Sequence, residues 1–235
     1  MGRALARQLA ERGDDLFLLG RGEADLAASA ADLEVRGGRG RTVGHAACDL
    51  LDPATFAPAL EAAERALSGL DAVVVTAGSF ATQEALEKDP AATARLLTVN
   101  FAHTVLFCEE ARRRLLARGG GTLCVFSSVA GERGRKPVVL YGASKAGLSR
   151  YLEGLDHKFR AQGLKVVCVK PGFVKTSMTE GLKPPPFAGE PEAVARRVVK
   201  ALDRGTPVVY VPWIWRWIML VIRLLPRFVM RRIGF

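Results

Sequence analysis

The sequence has 235 residues, 49% of them hydrophobic and 25% charged, a length and balance that suit one domain able to bury its own core. Such a composition excludes a disordered tail, a collagen-like fibre and a disulfide mini-scaffold. Five arginines and no acid fall between Val208 and Phe235, which accounts for half of the formal charge of +10, and elsewhere acids and bases alternate, so no nucleic-acid partner is expected.

In chain order, apolar periodicity predicts a helix over Gly2–Arg12, a short buried strand over Leu16–Leu19 and a helix over Ala24–Val35. A strand follows at Thr42–Cys48. Next comes a helix at Pro53–Leu67, capped by Asp52 with Pro53 at its first position, and then a strand at Ala72–Val75. Beyond these lie a long helical stretch at Ala91–Ala117, a strand at Thr122–Phe126, a helix at Leu140–Arg160 and a strand at Val166–Val169. A helix at Glu190–Leu202 and a strand at Val208–Val211 complete the series. Continuous apolar strands alternating with helices imply a doubly wound α/β fold, a Rossmann-like parallel sheet covered on both faces. Residues 1–212 read as this domain and residues 213–235 as a basic aromatic tail.

A nucleotide-binding sheet of this kind opens with a strand and a glycine-rich turn before its first helix. Here the pattern opens in the helix, with Gly2 standing as the final glycine of such a turn. The sheet is therefore expected to lack its first, central strand, leaving neighbouring strands with unpaired backbone groups at a cost of several kcal/mol. Cys48, Cys108, Cys124 and Cys168 form no Cys-x-x-Cys pair and sit in apolar runs, so reduced buried thiols and no metal are predicted. With no run of about 18 apolar residues and no basic-then-apolar start, the chain is expected to be cytoplasmic.

Tyr141-Gly142-Ala143-Ser144-Lys145 carries the strongest chemical signal. The tyrosine and lysine are four apart, one helical turn from each other on one face, and Ser128 lies thirteen residues upstream at a strand end. A neighbouring ammonium favours a phenolate, which predicts a lowered Tyr141 pKa and a role in proton transfer. Ser128, at the carboxyl edge of a parallel strand, is placed to hydrogen-bond a substrate oxygen.

Val99-Asn100, Ser127-Ser128, the Tyr141/Lys145 pair and Pro171-Gly172-Phe173-Val174-Lys175-Thr176 occur in order beside predicted strand ends and helix starts. In this set the chain resembles the short-chain dehydrogenase/reductase family over essentially its whole length. The resemblance implies a catalytic tetrad of Asn100, Ser128, Tyr141 and Lys145. Tyr141 would be the general acid in reduction and Ser128 the carbonyl polariser. Lys145 would lower the tyrosine pKa and hold the nicotinamide ribose, and Asn100 would anchor a water in the proton relay. It further implies cofactor contacts from Gly2, Pro171, Gly172, Val174 and Thr176, from Asp49-Leu50 around the adenine, and from Ala77 and Gly78. Val75 and Thr76 replace the two asparagines of the family's turn there, although Gly78 still permits close backbone approach. At the end of the Leu16–Leu19 strand, Gly20-Arg21 offers a cation and no carboxylate, which favours NADP over NAD, with Arg3 as a second cation. The helices Phe101–Ala117 and Leu140–Arg160 resemble those of the family's four-helix contacts and imply a homo-oligomer.

In the tail, at 100° per residue, Arg216, Arg223, Arg227 and Arg231 form one stripe, with Ile214, Ile218, Val221, Ile222, Leu225 and Val229 opposite. That pattern suits an interfacial helix touching a membrane through residues 213–232; a lid over the substrate pocket or a contact with a sister subunit are the alternatives. With the Ala130–Arg135 and Leu182–Pro186 loops, the tail is similar to the decaprenylphosphoryl-2-keto-ribose reductase branch. This likeness implies a lipid-linked keto substrate. The rival expectations are a soluble reductase of small ketones and a scaffold without catalysis.

Overall fold

Along the two central strands, successive side chains enter opposite cores, as the period of two requires. Leu123, Val125, Val166 and Cys168 join one apolar cluster, and Cys124, Phe126, Val167 and Val169 join the other. The computed structural model describes residues 1–179, 181 and 183–234; Leu182 of the loop named above and Phe235 at the tail's end lie outside the described residues.

The elements, in chain order, are α1 (Gly2–Arg12), β1 (Leu16–Gly20), α2 (Glu23–Gly37), β2 (Val43–Ala47), α3 (Phe56–Leu67) and β3 (Ala72–Val75). There follow α4 (Gln83–Lys88), α5 (Pro90–Leu97), α6 (His103–Ala117), β4 (Gly121–Phe126), α7 (Val139–Phe159), β5 (Leu164–Pro171), α8 (Pro191–Arg204) and β6 (Val208–Val211). The chain ends in α9 (Ile214–Leu224) and α10 (Arg227–Arg232).

The strands are all parallel but form two sheets, β1-β2 and β3-β4-β5-β6. Consistent with the expected lack of a central strand, β1 and β3 do not pair, and no residue of β1 is fully buried. Helices hold the halves together. Residues Ala4 and Leu5 of α1 pack with Cys124, Phe126 and α8 on one face. On the other face, Phe17 and Leu19 of β1 join Phe56 and Leu60 of α3 and the α6–α7 side chains.

Two predicted elements differ in detail. The segment opened by Asp52 begins as a tight turn at Pro53–Thr55, with the Asp52 carboxylate accepting from Ala54 N at 3.1 Å, before α3 proper. The long helix at Ala91–Ala117 is interrupted by a π-helical turn at Thr98–Ala102. This 28-residue rod is long and apolar enough to cross a membrane by composition. Leu96, Phe107, Cys108, Ala111 and Leu115 are nonetheless buried in the protein, and all but Leu96 belong to the α6 face of the core.

The tail departs most from expectation. It breaks at Leu225-Pro226 into two helices, and α9 folds back so that Trp215, Ile218, Met219 and Ile222 pack on Val129 and Tyr210. The predicted membrane stripe therefore holds Ile218 and Ile222, which face the domain. Arg223 leaves the predicted cationic stripe to reach Glu132 at 3.2 Å. Val221 of that stripe is exposed, together with Trp213, Trp217, Leu220, Leu224 and Phe228. Both faces of α9 are apolar, and periodicity alone does not say which one the domain takes.

Candidate active site

Because every strand is parallel, all carboxyl ends lie on corresponding edges, and the predicted site residues follow them. Gly20-Arg21 ends β1, Cys48-Asp49-Leu50 ends β2, Thr76-Ala77-Gly78 follows β3, Ser127-Ser128 follows β4 and Pro171-Gly172 closes β5. Open parallel sheets bind ligands in the crevice at such an edge.

Tyr141 and Lys145 are presented from the first turns of α7, and two glycines allow that helix to approach. A Cβ on Gly142 would meet Ala130 O at 2.9 Å, and one on Gly131 would meet Ala146 N at 2.6 Å. Helix α7 thus lies directly on the short turn Val129–Gly131 that follows Ser128. The Ser127 hydroxyl donates to Lys145 O at 2.9 Å and shares a hydrogen bond with Ser149 Oγ at 2.7 Å, locking the same junction. The Ser128 hydroxyl accepts from Ala130 N at 3.1 Å and lies 3.4 Å from Pro171 O, which joins the ends of β4 and β5.

Lys145 is 4% exposed, and its Nζ donates to Phe126 O at 3.1 Å. Burial lowers its pKa to about 8. The expected depression of the Tyr141 pKa is not what the structure shows. Burial raises the phenol above its ordinary value, and the Ser128 side chain only opposes that shift. The Lys145 ammonium stands 5.9 Å from the centroid of the Tyr141 ring, over its face, so removal of the phenol from water outweighs it. A phenol shifted this way remains protonated at neutral pH, the state a proton donor requires.

Asn100 is fully buried on the π-helical turn, a feature frequent at functional sites. Its carboxamide accepts from Ser79 N and donates to Ser79 O, both at 2.7 Å. Both ends of the amide therefore brace the turn after β3, where the resemblance implies a water anchor. A Cβ on Gly78 would lie 3.3 Å from Asn100 Oδ1 and 3.4 Å from Lys145 Nζ, so these three residues converge on one cradle of bare backbone.

These contacts fit the nicotinamide-ribose half of a dinucleotide. Lys145 has three N–H donors and one acceptor among the described residues, leaving donors for ribose hydroxyls. Arg21 is exposed beyond β1, as a phosphate-facing cation would be. The Asp49 carboxylate accepts from Leu51 N at 2.9 Å, and Leu50 O meets His103 Nδ1 at 2.6 Å, shaping the turn after β2. Gly2 abuts the turn after β3, since a Cβ on it would lie 2.6 Å from Thr76 Oγ1. Ala77 is part of that turn.

Pro171 and Gly172 pair with Val211, while the Val174 side chain is buried in the core, so any contact it makes with a cofactor comes from its backbone. Thr176 lines a cavity of about 470 Å³ with Phe173, Lys175, Ser177, Thr179, Gly181 and Pro184. Sequence reasoning missed Phe80, whose ring meets Tyr141 edge-on at 5.2 Å, and Ser79. Phe80 lies two residues after Gly78, close enough to the turn motif to have been found. Also missed was Glu132, whose buried carboxylate takes Lys170 at 2.5 Å, Tyr210 Oη at 3.2 Å and Arg223 at 3.2 Å.

The short chain dehydrogenase family pattern matches residues 1–186. The chain is 34% identical over 232 residues to an uncharacterized oxidoreductase of Mycobacterium tuberculosis, covering 99% of this chain and 92% of that protein. It is 28% identical over 214 residues to carbonyl reductase family member 4 of Xenopus tropicalis, covering 86% of each. Among solved structures, a short-chain dehydrogenase from Sphingobium yanoikuyae in complex with NADPH superimposes with a TM-score of 0.81 at 25% identity, over 93% of this chain and 87% of that one.

Proposed function

Because the chain belongs to the short-chain dehydrogenase family, and is thereby an NAD(P)-dependent oxidoreductase, we propose that it is an NADPH-dependent ketoreductase with Tyr141 as its general acid. The reading is carried by the grouping of Lys145 with Asn100 at the Gly78 cradle and with Tyr141, whose ring lies beneath its ammonium and whose hydroxyl the Ser128 side chain reaches. A carbonyl reductase among the relatives and an NADPH complex among the structural neighbours support the carbonyl and the phosphorylated cofactor, as does the Arg21 cation.

The cofactor, when bound, supplies the hydride that goes to the carbonyl carbon. The Tyr141 hydroxyl gives its proton to the carbonyl oxygen, and Ser128 holds that oxygen by a hydrogen bond as charge develops on it. Lys145 holds the ribose hydroxyls and stabilises the phenolate left behind, whose proton is restored from solvent. Asn100 fixes the turn at Gly78 through Ser79.

The substrate is an amphipathic or lipid-linked ketone, taken at the cytoplasmic face of a membrane. Support comes from the outward face of α9, where Trp213, Trp217, Leu220, Val221 and Leu224 are exposed next to Arg216. The exposed Leu97, Phe101 and Leu106 of the α5–α6 rod support a homo-oligomer.

NADPH-dependent reduction of a ketone panel tests the chemistry: Tyr141→Phe should lose turnover by a factor of about 100 or more and keep NADPH binding. Full turnover in that variant would overturn the assignment. Flotation with phosphatidylglycerol vesicles tests the tail, and Trp217→Ser with Leu224→Ser should lower the bound fraction. If partitioning is unchanged and sedimentation shows a dimer weakened by the same changes, α9 is a subunit contact.

A further inference from the structure

Tyr141 lies in the first turn of α7, where a helix is least secure, because its first N–H groups have no partner within the helix and need an acceptor from outside. A serine, threonine, aspartate or asparagine at the N-cap ordinarily supplies one. Here the N-cap is Val138, whose side chain has no polar atom, and no side-chain cap forms. The acceptor comes from another element. Gln83, the buried first residue of α4, accepts from Leu140 N on its Oε1 at 3.1 Å. Its Nε2 donates to Glu87 Oε1 at 2.9 Å, one turn along α4, which fixes the amide with its oxygen toward α7.

The phenol itself meets the same segment. Phe80 stands edge-on to the Tyr141 ring at 5.2 Å, with the two planes at 84°. Both rings are partly exposed, so each covers part of the other from water. Just before Phe80, the bare backbone of Gly78 lies against Asn100 and Lys145, and Ser79 holds both ends of the Asn100 amide. The short stretch from Gly78 to Gln83 therefore touches Asn100, Lys145 and Tyr141, and its far end closes the helix start that carries the phenol. A buried glutamine suits packing alone poorly, since its amide must be satisfied at both ends. One of those ends serves the residue just before Tyr141.

We infer that Gln83 and Phe80 are positioning residues for the general acid: Gln83 caps the first turn of α7 and Phe80 braces the ring, so the turn after β3 sets where the Tyr141 hydroxyl points. This deepens the ketoreductase reading and rests on it.

The test compares the full chain with three variants. Gln83→Met keeps the volume and removes the acceptor. The reciprocal exchange, Gln83→Glu with Glu87→Gln, keeps an acceptor for Leu140 N and a donor behind it. Phe80→Leu keeps an apolar contact and removes the ring. In NADPH-dependent reduction of a ketone panel, Gln83→Met and Phe80→Leu should each lower kcat by about tenfold, with NADPH affinity within about twofold of the unaltered protein. The exchange should restore most of kcat.

A second arm needs no substrate. Phenolate absorbance is followed in a pH titration and referred to Tyr141→Phe. The groups facing the phenol, the Lys145 ammonium and the Ser128 hydroxyl, are the same in every variant, so the midpoint follows the water admitted to the ring. It should fall in Phe80→Leu and in Gln83→Met, and should not fall in the exchange. If no form reduces a ketone but the midpoints move this way, the reductase reading fails and the positioning stands. Midpoints that stay in place in both single variants would overturn the inference. So would a joint fall of kcat and NADPH affinity that the exchange does not recover, the result of a general loosening of the fold. Should Gln83→Met fail to fold, Phe80→Leu and the exchange carry the same test.

Discussion

The Lys145 ammonium sits 5.9 Å from the centroid of the Tyr141 ring while its hydrogen bond goes to Phe126 O, so the lysine is held by the end of β4 and faces the tyrosine across its π-surface. Its lowered pKa, about 8, places its charge change within reach of assay conditions. Reduction needs a charged Lys145 and a protonated Tyr141, so kcat should fall as pH rises through about 8, and a pH–rate profile checks it.

The same burial has a stability consequence. Between about 8 and the ordinary lysine value of 10.5, the unfolded chain holds the proton and the folded one does not, so this group adds stability as pH rises across that window. Relative to Lys145→Met, the unaltered protein should therefore gain by about 3 kcal/mol from pH 7 to pH 10.5, read by denaturant midpoints at each pH. Parallel curves would place the lysine in water.

Asn100→Ala should leave Ser79 N and O without their 2.7 Å partners. A loss of about 1–3 kcal/mol in unfolding free energy is expected, with a fall in NADPH affinity as the Gly78 turn loosens. Urea melts and cofactor titration measure the two effects separately.

Gly172→Ala should drive the Trp215 ring from its seat, since the added Cβ overlaps the indole. The expected results are a cost of about 1–3 kcal/mol, red-shifted tryptophan emission and faster proteolysis at the α8–α9 side of the tail.

Glu132 ties α9 to the domain. Burial would raise its pKa, but the Lys170 hydrogen bond and the charges of Lys170 and Arg223 overcome this and lower it. A depressed carboxyl pKa gives stability that is present above the unfolded value of 4.5 and lost as pH falls through the folded one. The tail should therefore loosen below pH 4.5. Glu132→Gln should loosen it at neutral pH, at a cost of about 3 kcal/mol from the half-paired buried Lys170, visible in limited proteolysis.

Much of this was legible in the residues. Ala72–Val75 and Val208–Val211 read as strands to the residue, because short apolar runs made mostly of β-branched valine admit few alternatives. Tyr141 and Lys145 were legible from helical spacing. The direction of the Tyr141 shift was not, because it depends on how much water the fold removes, and spacing along a helix carries no information on burial. Periodicity also could not show the π turn at Thr98–Ala102, where the hydrogen-bond register slips within an unbroken helical pattern. In α9, Ile218 and Trp217 are equally apolar, and only the Val129–Tyr210 surface decides that Ile218 turns inward. The Glu132 anchor joins residues 38 to 91 positions apart, a relationship no local pattern encodes.

The division into two sheets has a mechanical meaning. The β1–β2 pair, with Arg21 at its end, and the β3–β6 sheet, with Ser128 and Gly172 at theirs, share no backbone ladder and are joined by side chains, through the two apolar cores and contacts such as His103 with Leu50 O. A dinucleotide laid along both edges would act as a girder across that seam, so its arrival should stiffen the whole molecule as well as arm the chemistry.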